Sequence, residues 1–196
     1  MSSKVNWRLI AAFGAAFSAV AIVTFWLSQS SPPGSMDKTE KVSDATFPLK
    51  LHTTPRTIPA IRFIDKKDNS VELANYKGRM VLLNLWATWC APCIQELPAL
   101  DRLQQAMAST NFVVVALSLD RGGLAEVGPF WSRAGLRHLP IYMDPSMTAG
   151  QTLGVRGLPT TLLIDQKGFE IARHEGPAEW DSEESISQLK NLSKSP

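Results

Sequence analysis

Two cysteines stand in this chain of 196 residues, Cys90 and Cys93, inside WATWCAPC at positions 86–93. Metal binding, cross-linking and redox exchange each make a different demand on such a pair. A tetrahedral zinc site takes its other two ligands from a second Cys or His pair at short spacing. Here His52, His138 and His174 are single residues in separate stretches, so no structural metal is expected, although two thiolates and one histidine still suit a copper carrier. A purely structural disulfide between positions 90 and 93 closes a very short loop and removes little chain entropy. Reversible thiol chemistry explains the spacing better. If these residues open a helix, the first thiol faces free N–H groups and the positive end of the helix dipole, which favour thiolate. The second sulfur then lies one turn on, which makes Cys90 the expected nucleophile and Cys93 the resolving thiol.

The elements that must position this pair are legible in the hydrophobic pattern. MVLLNLWA (80–87) is a nearly continuous apolar run of strand length, as expected of a strand covered on both faces. Cys90 to about Ala108 reads as a helix with Leu97, Leu100, Leu103 and Met107 on one stripe and Pro92 in its first turn. FVVVALSLD (112–120) is a second buried strand, Leu124 to Ala134 a helix opened by two glycines, HLPIYMD (138–144) a short strand, and Met147 to Leu153 a short helix ended by Gly154. IRFID with SVEL (70–73), turning on Asp68 and Asn69, and TTLLID (160–165) with FEIARHE (169–175) read as hairpins; SEESISQLKNL (182–192) closes the chain as a helix. This order predicts an α/β fold with a central mixed sheet flanked by helices. The cysteines fall at the carboxyl end of the first buried strand, where ligands and chemistry collect in such sheets.

The front of the chain is of another kind. Residues 9–27, LIAAFGAAFSAVAIVTFWL, carry no charge, and a helix of that length spans roughly 28 Å, close to a bilayer's hydrocarbon thickness. A cleaved secretory signal and a retained anchor both fit the basic start at Lys4 and Arg8. The apolar length and the weak cleavage site in SQSSPP favour the anchor. Residues 1–8 are then expected in the cytoplasm, 9–27 as a single transmembrane helix of the cytoplasmic (inner) membrane, and the remainder on the periplasmic side. Residues 28–55, rich in Ser, Thr, Pro and Lys, are expected as a flexible tether, and 56–196 as the folded domain. A formal charge of +2 with scattered Lys and Arg gives no support for nucleic-acid binding.

LANYKGRMVLLNLWATWCAPCIQELPAL and VRGLPTTLLIDQKG resemble the membrane-anchored TlpA/ResA-like branch of thioredoxin-fold thiol-disulfide oxidoreductases, over roughly residues 58–192. The resemblance implies a thioredoxin-like fold and a set of roles. Trp89, matching the family's Trp-Cys pair, shields the site and with Leu158 contacts substrate. Pro98 matches the proline that kinks the helix. Pro159 matches the cis-proline that faces the cysteines and leaves the preceding backbone free to pair with an incoming peptide. The buried aspartate of ordinary thioredoxins, six residues before the first cysteine, is replaced by Asn84, which takes no proton at neutral pH. Glu96 matches instead the acidic residue of the TlpA/ResA-like branch and acts as proton acceptor or adjusts the thiol pKa values. Its alternative is a solvated first-turn glutamate.

The resemblance further implies a reductase without bound cofactor or metal. Its clients are disulfide-containing proteins, apocytochrome c or copper-site proteins such as those of cytochrome oxidase, and its electrons come from a membrane donor of the DsbD/CcdA type. A disulfide-donating oxidase or isomerase of the same fold is the enzymatic alternative, and a copper chaperone using the two thiolates is the binding alternative.

Overall fold

A computed structural model describes residues 47–194. The expected cytoplasmic start, the anchor at 9–27 and the tether as far as residue 46 lie outside the described residues. In chain order the elements are β1 (Lys50–Thr57), β2 (Arg62–Asp65), β3 (Ser70–Glu72), a 3-10 turn (Leu73–Tyr76), β4 (Met80–Trp86), α1 (Ala91–Ala106), β5 (Phe112–Ser118), α2 (Leu124–Ala134), β6 (Tyr142–Met143), α3 (Thr148–Thr152), β7 (Thr160–Ile164), β8 (Phe169–Glu175) and α4 (Glu183–Lys194). The strands form one mixed sheet in the order β1-β8-β7-β4-β5-β6-β2-β3.

β4 is buried at every position. It runs parallel to β5, with Met80 opposite Phe112 and Trp86 opposite Ser118, and antiparallel to β7, with Asn84 opposite Thr161. Side chains alternate across a strand, so Met80, Leu82 and Trp86 join one core with Leu97, Leu100, Leu103 and Met107 of α1, Trp131 of α2 and Leu189 of α4. Val81, Leu83 and Leu85 join the other with Ala149 and Leu153, at α3. The apolar runs that named β4 and β5 as strands are therefore the runs that need cover on both faces.

Three expectations need correction. The tether was expected to reach residue 55, but from Lys50 the chain is strand β1, paired antiparallel with β8. Most of β1 is exposed, so backbone pairing and not apolar burial holds it. The ladder shifts register between Leu51 and Arg56, around Pro55, where a proline is tolerated on an edge strand. His52, assigned to the tether, bonds Glu170 of β8 through Nε2 at 2.9 Å. The strand expected over 138–144 shrinks to Tyr142–Met143, because the Asp101 carboxylate of α1 takes the N–H groups of Arg137, His138 and Leu139 at 3.1, 2.8 and 3.0 Å. His138 thus sits in a loop and not at a strand end. Leu73, expected to finish a strand, opens the 3-10 turn, where Asn75 and Glu72 cap each other.

Candidate active site

β4 delivers the chain to Ala87, and α1 begins at Ala91 with Cys90 as its N-cap and Pro92 in the first turn. A proline there gives up no helical hydrogen bond and its fixed φ suits the helix. The Cys93 N–H donates to Cys90 Sγ at 3.3 Å, so the first sulfur caps the helix. The two cysteines form a disulfide across a Cα–Cα distance of 5.3 Å. Cys90 keeps 6% of its surface exposed and Cys93 none. Of the two residues, only Cys90 therefore offers any surface to an incoming thiolate.

Trp89, beside Cys90, is 66% exposed, whereas Trp86 is fully buried against Phe130 and Trp131. Leu158 is half-buried and packs against the core that holds both cysteines. The Leu158–Pro159 peptide is cis, in agreement with the resemblance. Pro98 lies inside α1, where it removes the N–H that would bond the Ile94 carbonyl. Trp89, Cys90, Cys93 and Leu158–Pro159 thus occupy one end of the sheet.

Glu96 is not a solvated glutamate. Only 4% exposed, it accepts from Asn84 Nδ2 at 2.7 Å on Oε1, and from Trp180 Nε1 at 2.9 Å and the Ala178 N–H at 3.2 Å on Oε2. Burial pushes its carboxyl above the usual range, and the bonds from Trp180, Asn84 and Ala178, with the charge on His174, pull the other way. Positions 93 and 96 share a helix face, so a proton-accepting group sits one turn beyond the buried sulfur.

A second buried carboxylate holds the approach to Cys90. Asp120, fully buried just past β5, accepts the Thr88 N–H at 2.9 Å, the Thr88 hydroxyl at 2.6 Å and the Ser118 hydroxyl at 2.7 Å. Thr88 precedes Trp89, so this carboxylate fixes the loop that presents the cysteine. The sequence reading missed Asp120, Thr161 and Trp180. A polar residue inside or ending an apolar run, such as Asn84 or Asp120, was the available signal, because buried polar groups must find partners. Nothing local pointed to Trp180, which lies far along the chain. Among the described residues no group of three or more His, Cys, Asp or Glu side chains is placed to hold a metal ion.

The sequence profile of the Redoxin family matches residues 54–191. The chain belongs to the Redoxin family. This redoxin is similar to "Thiol-disulfide oxidoreductase ResA" of Halalkalibacterium halodurans, 33% identical over 119 residues, which are 60% of this chain and 66% of the relative. It is 36% identical to the ResA of Bacillus anthracis over 104 residues, 53% of this chain and 59% of that one. The match to these curated relatives therefore spans less than two thirds of their length. Among solved structures, a thiol:disulfide interchange protein DsbE from Chlorobium tepidum superposes on this redoxin with a TM-score of 0.64 and 28% identity, over 73% of this chain and 99% of the other.

Proposed function

We propose that this redoxin is a thiol-disulfide oxidoreductase that reduces disulfides in client proteins. The reading is carried by the cysteine pair at the start of α1, with Cys90 within reach of solvent and Cys93 fully buried. In the reduced protein the Cys90 thiolate attacks one sulfur of a client disulfide, and the other client sulfur leaves as thiolate and takes a proton. Cys93 gives its proton to Glu96 and attacks Cys90 Sγ. That step closes the intramolecular disulfide and releases the second client thiol. The client has then gained two electrons, which a dithiol donor returns to Cys90 and Cys93 by the same exchange. Trp89 and Leu158 form the apolar rim against which the client lies, and the backbone at Leu158–Pro159 pairs with its extended chain.

The proposed setting rests on the sequence. The apolar stretch 9–27 behind Lys4 and Arg8 is read as a single-pass anchor of the cytoplasmic membrane that keeps the catalytic domain in the periplasm. There, the resemblance to the TlpA/ResA-like branch supports clients in cytochrome c or copper-site maturation and a DsbD/CcdA-type membrane donor.

The direction of exchange is tested by equilibrating the protein with glutathione buffers and counting free thiols. Ala91-Pro92 between the cysteines lacks the histidine of strong oxidases, so the expected potential lies near thioredoxin's, about −270 mV, and far from the oxidase DsbA's, about −120 mV. The gap corresponds to roughly 7 kcal/mol for two electrons. A potential above about −160 mV, on the same scale, would instead assign disulfide donation. Stoichiometric copper retained through gel filtration, with no reductase activity, would assign the chaperone.

A further inference from the structure

We infer that Asn84 is a two-way partner of Glu96: its side-chain amide reverses when Glu96 takes up a proton, so that both protonation states of this buried carboxyl are satisfied without water. Asn84 is fully buried on β4. Its Nδ2 donates to Glu96 Oε1 at 2.7 Å and to Thr161 Oγ1 at 3.0 Å, which uses both amide hydrogens. Its Oδ1 is buried with no partner among the described residues. With the Trp86 indole nitrogen it is one of two buried side-chain polar atoms without a partner among the described residues, and such an atom calls for an explanation.

The explanation lies in where a proton can sit on Glu96. Oε2 faces the indole N–H of Trp180 and the backbone N–H of Ala178, two donors with fixed direction that cannot become acceptors. The acid proton is therefore confined to Oε1, whose hydrogen-bond partner among the described residues is the Asn84 amide. With the present orientation, O–H would meet N–H. A half-turn of the amide puts Oδ1 in the place of Nδ2, and its two lone pairs accept from Glu96 Oε1–H and from the Thr161 hydroxyl, which swings from acceptor to donor. The reversal breaks no bond of Oδ1, which has none among the described residues, and its cost is that the two amide hydrogens turn to the side Oδ1 leaves and give up their present acceptors. Asn84 is thus a positioning residue, and the inference rests on the proposed role of Glu96 as acceptor of the Cys93 proton.

Asn84 from β4 and Ala178 with Trp180 from the segment before α4 bond Glu96 directly, Thr161 from β7 lies behind Asn84, His174 from β8 acts on its titration, and Cys93 shares its helix face. His174 is the one basic side chain among them, and it meets the Trp180 ring edge-on at 5.9 Å between centroids.

Nuclear magnetic resonance on the oxidised full chain in detergent micelles reads the reversal directly. As pH falls through the midpoint of the Glu96 carboxyl carbon, the Asn84 side-chain nitrogen and its two protons should shift with the same midpoint. In Glu96→Gln they should be independent of pH. Asn84 signals that stay flat while Glu96 titrates would overturn the inference. The functional arm uses the reduced protein loaded at Cys90 with glutathione and follows release of that glutathione by Cys93. Asn84→Leu, shown to be folded by its urea transition, should slow release roughly tenfold at neutral pH, the scale of one lost hydrogen bond to a charged group. It should have no further effect in a Glu96→Gln background. An equal slowing in both backgrounds would refute action through Glu96. If instead the amide shifts track Glu96 but Glu96→Gln leaves release unchanged, the reversal stands and the role of Glu96 as proton acceptor falls.

Discussion

Asp120→Ala should destabilise the protein through the loop that presents Cys90. The carboxylate is fully buried and accepts three donors: the Thr88 N–H, the Thr88 hydroxyl and the Ser118 hydroxyl. Thr88 is half-buried, so after truncation its two donors regain water, and each loses about 1 kcal/mol of net hydrogen-bond stability. Ser118 is fully buried and its hydroxyl has no water to turn to, which adds about 1–3 kcal/mol. The expected loss is about 3–5 kcal/mol, read from urea unfolding of the oxidised protein as a lower midpoint at unchanged slope. Asp120→Asn keeps one acceptor oxygen and should lie between the two. A double-mutant cycle with Thr88→Val should return a coupling of about 1–2 kcal/mol, because the two side chains share a short charge-assisted bond. An Asp120→Ala protein within about 0.5 kcal/mol of wild type, the range of an indifferent surface substitution, would show that the loop is held by something else.

Cys93→Ser should accumulate mixed disulfides with client proteins and Cys90→Ser should not; mass spectrometry of trapped adducts decides it, and equal trapping through both positions would reverse the assignment. Burial works to raise the Glu170 carboxyl, but its bonds to Arg173 and His52 outweigh that and hold it below the usual range. A depressed folded value means stability that is present above the unfolded value and lost as pH falls through the folded one. The gap in urea midpoint between wild type and Glu170→Gln should therefore narrow on acidification below about pH 4.5, and a constant gap would contradict the pairing. Carbonate-washed membranes should retain the protein at full-length mass, whereas a soluble form starting near residue 30 would make 9–27 a cleaved signal.

Much of the domain's core was determined by the sequence, and the reason is local. The runs 80–87 and 112–120 have the length and continuous apolarity of strands covered on both faces, and the Leu97, Leu100, Leu103, Met107 stripe finds its cover because 3.6 residues make a turn. The cysteine spacing likewise names Cys90 as the expected leading sulfur, and Cys90 is the more exposed of the two. β1 escaped notice because its bonds are made by backbone to a strand that follows far later, and its side chains, mostly exposed, leave no pattern. The strand expected near 138 failed because a carboxylate on α1 competes for its N–H groups, a contest invisible in the residues themselves. Only the tertiary structure decided the character of Glu96. Whether a glutamate in a helix's second turn is solvated or buried depends on what lies across from it. Here Asn84 and Trp180, brought together from opposite sides in sequence, close over the carboxyl and turn a common surface residue into a buried acid beside a redox pair.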